Sequence, residues 1–195
     1  MKLQREQIIA HMFHKKYAVF TDGNFNVNFV GIRAKESESN AFDDRIALFY
    51  KDSGQWQFHL FPATTDPGRY WLENPMNAGG SAVMVEGQYR GLWQIGWHQP
   101  GVAGLVQVRN VKIYRDRNRD RIIDRDSKTI TEGLYGINLH AAWLLDVATE
   151  VGNWSAGCQV TQYRRDFDLI LSVCRRSAQT FGNSFTYTLL HESDF

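Results

Sequence analysis

Short apolar runs bounded by turn-forming residues recur along most of this chain, and they constrain its fold more than any other feature. In one run, Trp56, Phe58 and Leu60 alternate with more polar residues, which is the pattern of a strand with one buried face. Asp-Gly-Asn at 22–24 and Asp-Ser-Gly at 52–54 are typical of turns between strands. The pattern predicts strands at residues 17–20, 26–33, 45–51, 55–61, 68–72, 81–86, 93–97, 104–113 and 185–190.

Two segments have the spacing of helices instead. Residues 3–13 are predicted to form a short amphipathic helix. Apolar side chains in 164–181 recur at intervals of 3, 1, 3, 4 and 3, which is typical of one helix face, and Gly-Asn at 182–183 ends the pattern. The chain is therefore predicted to be mainly β with a few helices, an α+β protein. Because a domain averages about 150 residues, we expect one domain spanning 1–195.

The overall charge and hydropathy exclude several classes of protein. With 22 Lys+Arg against 21 Asp+Glu, the net charge of +1 provides no global attraction to nucleic acid. No run approaches the roughly 18 apolar residues of a membrane span. Arg5, Glu6 and His11 interrupt the apolar region that a signal peptide needs. We expect a monomer that is made in the cytoplasm and has neither a membrane span nor a nucleic-acid partner.

The chain has two cysteines, and the sequence predicts different roles for them. Cys174 lies on the apolar face of the predicted helix 164–181 and is expected in the core. Cys158 follows the small residues of Ser-Ala-Gly, eighteen residues after His140. A thiol with a pKa near 8.5 needs a base such as imidazole to attack a carbonyl at neutral pH, and backbone amides to bind the oxyanion. The alternative is a buried structural cysteine and an unrelated histidine.

The order and spacing of these residues resemble the signature of bacterial L,D-transpeptidase catalytic domains. His140, fourteen intervening residues and Ser-Ala-Gly-Cys at 155–158 are similar to the His…Ser/Thr-His-Gly-Cys pattern of that family. The segments 135–140 (Tyr-Gly-Ile-Asn-Leu-His), 65–70 (Thr-Asp-Pro-Gly-Arg-Tyr) and 166–169 (Asp-Phe-Asp-Leu) also resemble family segments. The resemblance covers about 45–180, which implies a catalytic core there and an N-terminal helix/strand extension at 1–44. It also implies a β-sandwich or barrel.

The resemblance implies an enzyme that needs no cofactor and acts on peptidoglycan stem peptides or muropeptides. Cys158 would be the nucleophile and His140 the base, with the carbonyl of Ala141 orienting the imidazole. The amides of Gly157 and Cys158 would bind the oxyanion, and Ser155 would brace the loop. Transpeptidation, carboxypeptidation and endopeptidation are all compatible with this chemistry. Without a signal peptide, such an enzyme would reach the cell wall or periplasm after phage lysis or by injection into a rival cell.

Two departures from the family pattern leave a second interpretation open. Ala156 stands where the family has its second histidine, and Val160 stands where it often has Arg or Asn. These changes favour an inactive module that only binds the cell wall. Retention of both Cys158 and His140 favours the enzyme, because a binding module needs neither.

Aromatic and polar residues near these motifs are predicted to bind substrate, because aromatic faces bind sugars and peptides. Trp71, Trp93 and Trp143 also lie near the motifs, and the alternative for each tryptophan is a place in the core. The predicted substrate-binding residues are Trp154, Asn138, Tyr135, Trp97, His98 and Tyr89.

The run from 116 to 126 resembles the start of a Ca²⁺-binding loop. Asp116, Asn118, Asp120 and Asp124 occupy positions 1, 3, 5 and 9 of such a loop. Arg121 replaces the usual glycine at position 6, and arginines alternate with the acidic residues. A possible Ca²⁺ site is therefore weighed against a solvated, salt-bridged loop. On this run alone, a Ca²⁺-stabilised structural protein of a virion is a third hypothesis.

Overall fold

The computed structural model describes residues 3–35, 39–142 and 147–195. Its helices are α1 (Arg5–His14), α2 (Arg69–Glu73) and α3 (Arg164–Phe181). Its strands are β1 (Asn28–Arg33), β2 (Asp44–Asp52), β3 (Gln55–Thr64), β4 (Ser81–Met84), β5 (Gly87–Gln99), β6 (Val102–Gln107), β7 (Val111–Asp116), β8 (Thr131–Gly133), β9 (Leu139–Ala141), β10 (Gln159–Thr161) and β11 (Phe185–His191). The predicted mainly β, α+β class is confirmed.

Eight of these strands close into a barrel in the order β1-β11-β5-β6-β9-β10-β3-β2, and β4-β7-β8 form a separate small sheet. The pairs β1/β11 and β9/β10 are parallel, and the other barrel pairs are antiparallel. Since β1 and β11 lie outside 45–180, the barrel is not confined to that range. The segment 1–44 is thus not a mere extension, because it contributes a strand to the barrel.

Helices cover the barrel because they bury apolar faces that the strands leave open. All six residues of β1 are buried, and Ile8 and Met12 of α1 pack with Val30 and Ile32 on one of its faces. The apolar stripe of α3 is buried in the main core, and Cys174 within it is 0% exposed. The helix at 164–181 and the core position of Cys174 are therefore as the sequence predicts. Among the described residues, no helix has the length and apolar character that a membrane crossing requires.

Three strand predictions are wrong, each for a different reason. Residues 68–72 begin the helix α2, where the amides of Trp71 and Leu72 bond to the carbonyl of Gly68. Residues 104–113 divide between β6 and β7, which belong to different sheets. Residues 17–20 bond to side chains instead of to a neighbouring strand: the amide of Phe20 donates to Asn28 Oδ1 at 2.8 Å.

Candidate active site

Parallel pairing of β9 and β10 brings the histidine and cysteine motifs together. Leu139 is opposite Gln159 and His140 is opposite Val160, and the amide of Gln159 donates to the carbonyl of Asn138 at 2.8 Å. Side chains alternate between the two faces of a strand, so Cys158, directly before β10, shares a face with Val160. Val160 is paired with His140 on the neighbouring strand. Cys158 is therefore beside His140 although it comes eighteen residues later in the chain.

The imidazole of His140 is buried and held in one orientation. Its Nδ1 lies 2.9 Å from the carbonyl oxygen of Ala141, so a neutral ring carries its proton on Nδ1 and leaves the Nε2 lone pair free. Nε2 is buried and has no hydrogen-bond partner among the described residues. The orienting role that the resemblance implies for Ala141 agrees with this geometry.

Cys158 lies next to two histidines. Its Sγ and one ring nitrogen from each of His98 and His140 all lie within 4.8 Å of one another. Sγ also lies 3.3 Å from the carbonyl oxygen of Gly136, to which a thiol can donate. These contacts describe a protonated thiol beside an imidazole that can accept its proton.

Burial opposes charge on both groups. Burial raises the pKa of the Cys158 thiol to about 11, and the backbone amide of Asn138 offsets part of this effect. Burial and the neighbouring His98 lower the pKa of His140 to about 3, against an opposing effect of the bond to Ala141. In the free protein the pair is therefore neutral, a thiol and an imidazole, and not a thiolate and an imidazolium.

His98 reaches this site from β5. The β5/β6 register shifts between Trp97 and Gln99, and such a bulge re-aims a side chain. A Cβ atom on Gly104 of β6 would lie 2.9 Å from the Cβ of His98, so the glycine leaves room for this placement. Burial lowers the pKa of His98. The sequence predicted substrate contact for His98 and did not predict that its ring would contact the base.

Ser155 and Gly157 shape the loop before Cys158. Ser155 Oγ accepts from the amide of Gly157 at 3.1 Å and lies 2.9 Å from the carbonyl oxygen of Asp66 and 2.8 Å from that of Cys158. This is the bracing expected of Ser155. The amide of Gly157 is occupied by that bond, however, and its predicted oxyanion role is wrong for this conformation. Of the predicted pair of donors, the Cys158 amide has no such bond within the described part of the chain.

Gly157 permits the loop conformation because its φ is +126° and its α-carbon closely approaches β4. A Cβ atom there would lie 2.5 Å from the carbonyl oxygen of Ala82. Any side chain at this position would push the loop away from the small sheet, so the cysteine position depends on this glycine.

An open cleft of about 510 Å³ leads to Cys158. Tyr135, Trp154 and Trp71 supply aromatic walls, and substrate binding by the first two stays a prediction. An adjoining cleft of about 450 Å³ reaches His98 and His140 and shares Trp71 and Trp154 with the first. The two clefts together reach both the thiol and the imidazole.

Arg115 of β7 is a cleft residue that sequence analysis missed. Its guanidinium lies over the ring of Tyr135, 4.9 Å from the centroid, and its Nη1 donates to the carbonyl of Gly80 at 3.0 Å. In the sequence it is one of many arginines, and only the pairing of β7 with β4 brings it to the cleft.

Two predicted substrate-binding residues, Tyr89 and Trp97, do not line either cleft. The hydroxyl of Tyr89 donates to the carbonyl of Val85 at 2.7 Å and its ring packs against the main core. Trp97 is 69% exposed and lies outside the walls of both clefts. Both predictions are wrong because Tyr89 bonds and packs within the fold, whereas Trp97 is turned to solvent away from the clefts. Trp93 is buried in the core, and Trp143 lies outside the described residues.

Asn138 positions its neighbours instead of binding substrate. Its Oδ1 accepts from the amide of Gln107 at 2.8 Å, and its Nδ2 lies 3.0 Å from His98 Nδ1. Since an amide nitrogen only donates, Nδ1 of a neutral His98 accepts and the ring proton is on Nε2. The substrate-binding prediction for Asn138 is therefore wrong, because both ends of its amide are already bonded.

Buried charges lie behind the loop that carries Cys158. Arg33, 0% exposed, pairs with Asp66 at 3.0 Å and with Glu86. Asp66 also accepts from Arg125 at 2.6 Å, and its carbonyl lies beside Ser155 Oγ. In the sequence, the only sign of this network is an arginine at the end of a mainly apolar strand.

Comparisons with known proteins give no match: neither a family model, nor a curated protein, nor a solved structure matches this chain.

Proposed function

We propose that the protein is a cysteine acyl-transfer enzyme that acts on peptidoglycan stem peptides through a Cys158 acyl-enzyme, with His140 as the base. One observation carries the proposal: Sγ of Cys158 and a ring nitrogen of His140 lie within 4.8 Å of each other at an open cleft, while Nε2 of His140 has no hydrogen-bond partner in the part of the chain that the structure describes. A structural cysteine needs neither an oriented imidazole nor a cleft.

The proposed reaction starts from the neutral pair. As Sγ attacks the carbonyl carbon of a diamino-acid residue, the thiol proton moves to Nε2 of His140. The oxyanion accepts a hydrogen bond from the Cys158 amide. Collapse of the intermediate breaks the amide bond, and the imidazolium returns its proton to the leaving amine of a D-amino acid. The resulting thioester is then attacked by an amine, which gives a cross-link, or by water, which gives hydrolysis.

Arg115 supports a substrate that carries a carboxylate. Its guanidinium lies at the cleft, and within the described residues no acidic side chain pairs with it. A stem peptide has free carboxylates, and Arg binds such groups through two parallel hydrogen bonds. In this proposal Arg115 provides the carboxylate contact that the apolar side chain of Val160 cannot make.

An inactive cell-wall-binding module is the second candidate. The raised pKa of Cys158 and the occupied amide of Gly157 favour it, because both weaken the catalytic machinery of the free protein. Both candidate functions use the same cleft and Arg115, so binding experiments alone do not distinguish an enzyme from a binding module.

Mass spectrometry of muropeptides incubated with the protein tests the proposal. The wild type is expected to produce joined fragments, fragments lacking a D-residue, or split cross-links, which identify the three possible reactions. Cys158→Ala should produce none of these, whereas Cys174→Ala should retain the activity. Products that persist in Cys158→Ala exclude this mechanism, and binding without products in the wild type indicates the binding module.

A further inference from the structure

The acidic loop between β7 and β8 is held by its own donors. Asn118 Nδ2 donates to Asp120 Oδ2 at 2.9 Å and to Asp124 Oδ2 at 2.8 Å. The amide of Asp124 donates to Asp116 Oδ2 at 2.9 Å. In the described part of the chain, these carboxylates are not among the side-chain groups that lie close enough together to hold a metal ion. The possible Ca²⁺ site therefore stays a prediction from the sequence.

Gln159, in contrast, places an amide against the main core directly behind the cysteine loop. Cys158 and Val160 share one face of this segment, so Gln159 between them projects from the other face, where it is 0% exposed. On that side it meets Tyr187, which is also 0% exposed and belongs to the main core. A buried amide is costly unless it is hydrogen-bonded, so the bonds of Gln159 decide what this residue does.

The hydrogen bonds of Gln159 fix the orientation of its amide. The hydroxyl of Tyr187 donates to Gln159 Oε1 at 2.6 Å. At the other end, Nε2 donates to the carbonyl of Gly157 at 3.4 Å and to that of Thr65 at 3.5 Å. Because carbonyl oxygens only accept, the nitrogen end of the amide must face them and the oxygen end must face Tyr187. The short bond to Tyr187 thus anchors Gln159, and the two longer bonds extend this anchor to the backbone.

Gly31 of β1 leaves the space that the Tyr187 hydroxyl occupies. A Cβ atom on Gly31 would lie 1.8 Å from Tyr187 Oη, so any side chain there would displace the hydroxyl. Gly31 is opposite Leu189 in the parallel pair of β1 and β11, and Tyr187 lies two residues earlier on β11. The position of Gln159 therefore depends on a glycine in a distant strand of the barrel.

The carbonyl that Gln159 holds belongs to the peptide bond between Gly157 and Cys158. This bond is trans, as are the other peptide bonds across the described residues, so its C=O and N–H point in opposite directions. A carbonyl directed at Gln159 therefore directs the Cys158 N–H away from Gln159. The amide of Gly157 already donates to Ser155 Oγ at 3.1 Å, which leaves the Cys158 amide as the free member of the expected oxyanion pair.

We propose that Gln159, anchored by Tyr187, is a positioning residue that aims the Cys158 amide at the oxyanion of the acyl transfer. The inference rests on the proposed function, because it concerns the oxyanion of that reaction. Gln159 lines neither cleft and acts only through the peptide between Gly157 and Cys158. Donors stabilise an oxyanion best when they are oriented before the reaction, and the bond to Gln159 supplies that orientation.

Two reactions of Cys158 test the proposal, because only one of them forms an oxyanion. With p-nitrophenyl acetate, Sγ attacks the acetyl carbon, the thiol proton passes to His140, and an oxyanion forms. The oxyanion collapses to a thioester, and the departing p-nitrophenolate takes the proton from His140. With iodoacetamide, Sγ displaces iodide from a saturated carbon, so no oxyanion forms.

Gln159→Met keeps a side chain of similar length and removes the amide. It should slow acetylation of Cys158 at least about tenfold, since loss of an oxyanion donor costs about 10²–10³-fold. Alkylation by iodoacetamide should be nearly unchanged, because it needs no oxyanion donor. Mass spectrometry of the modified protein measures both rates, and Cys158→Ala gives the background from other side chains.

Two further variants separate orientation from stability. Tyr187→Phe removes only the hydroxyl that anchors Gln159, and it should slow acetylation in the same direction but less than Gln159→Met. Asn28→Leu is the matched control, because it replaces another buried amide, 2% exposed, which bonds to the backbone of Phe20 and Phe49 and not to the cysteine loop. Its ratio of acetylation to alkylation should equal that of the wild type.

The ratio of the two rates decides between the outcomes. An unchanged ratio in Gln159→Met overturns the positioning role while leaving acyl transfer intact. Equal slowing of both reactions, or a similar fall of the ratio in Asn28→Leu, reduces Gln159 to a structural residue and also overturns it. Should Gln159→Met fail to fold, the ratio in Tyr187→Phe decides by the same criterion. If wild-type Cys158 is alkylated but never acetylated, the proposed acyl transfer itself is overturned, and the positioning role with it.

Discussion

The imidazole rings of His98 and His140 stack with their centroids 3.9 Å apart and their planes 16° from parallel. Two protonated rings at this distance would repel each other, and both are withdrawn from water. The stack therefore favours neutral imidazoles and fixes the plane of the proposed base. It also explains why the thiol beside them has no permanent cationic partner.

The first prediction concerns the reactivity of Cys158. Because burial raises its pKa to about 11, its alkylation by iodoacetamide should quicken about tenfold per pH unit from about pH 6 to 9, without a plateau. Mass spectrometry of the alkylated protein measures the rate. Cys174 is fully buried and should stay unmodified, which Cys158→Ser verifies. A plateau below about pH 7 would instead reveal a thiolate–imidazolium pair.

The second prediction concerns folding stability in acid. His140 has a pKa of about 3 in the folded protein, below the ordinary 6.5, so between these values the unfolded chain binds more protons. Its contribution to stability is complete above pH 6.5 and is lost as the pH falls toward 3, by up to about 1.4 kcal/mol per pH unit. Chemical denaturation at several pH values should show that the free energy of unfolding falls less steeply with decreasing pH in His140→Asn than in the wild type. Parallel curves for the two proteins would contradict the depressed pKa.

The third prediction tests the bulge that presents His98. A methyl group at Gly104 meets the Cβ of His98 at 2.9 Å, so Gly104→Ala should displace His98 and change the pH profile of Cys158 alkylation. Gly87→Ala on β5 is the matched control, because a Cβ there has ordinary contacts at 3.5 Å or more. If Gly104→Ala leaves the profile and the His140 NMR signals unchanged, His98 does not influence the base.

How far the sequence predicts the fold depends on how local each signal is. The apolar stripe of α3 predicts that helix residue by residue, because the period comes from the helix itself. The segment 104–113 reads as one strand, and only long-range pairing divides it between the barrel and the small sheet. The short helix α2 is also missed, since its five residues are too few to show a period.

In the candidate site too, residues within local motifs are predictable from the sequence, and residues placed by long-range pairing are not. Cys158 and His140 are found from a motif, and Ala141 and Ser155 follow from the motif's chemistry. His98 and Arg115 meet them only through sheet pairing, which no local pattern encodes. Tyr89 and Trp97 precede the motif in sequence, but nearness along the chain does not bring a side chain to a site that long-range strand pairing forms.

The fourth prediction concerns Arg115 and assumes the proposed activity. Arg115→Gln should lower kcat/KM for muropeptides with a free carboxylate about tenfold or more, chiefly through KM, because a charge-assisted bond is lost. Lys112→Gln removes the same charge from an exposed position of β7 and should have little effect. Steady-state kinetics on substrates with a free or amidated carboxylate separates recognition from general electrostatics. Equal losses on both substrates would show that Arg115 does not recognise the carboxylate.

The fifth prediction concerns the buried charges behind the cysteine loop. Asp66 is 2% exposed and pairs with Arg33 and Arg125, so Asp66→Asn leaves Arg33 buried with less compensation. Breaking a buried pair costs about 3–5 kcal/mol, whereas an exposed i,i+4 pair is worth about 0.3–0.5 kcal/mol. Urea denaturation should therefore show a large loss of stability for Asp66→Asn and a small one for Asp168→Asn, which breaks the exposed pair with Arg164. Because the carbonyl of Asp66 lies beside Ser155 Oγ, Asp66→Asn should also speed hydrogen exchange in the loop before Cys158. A stability loss similar to that of Asp168→Asn would mean that water or neighbouring groups already compensate Arg33.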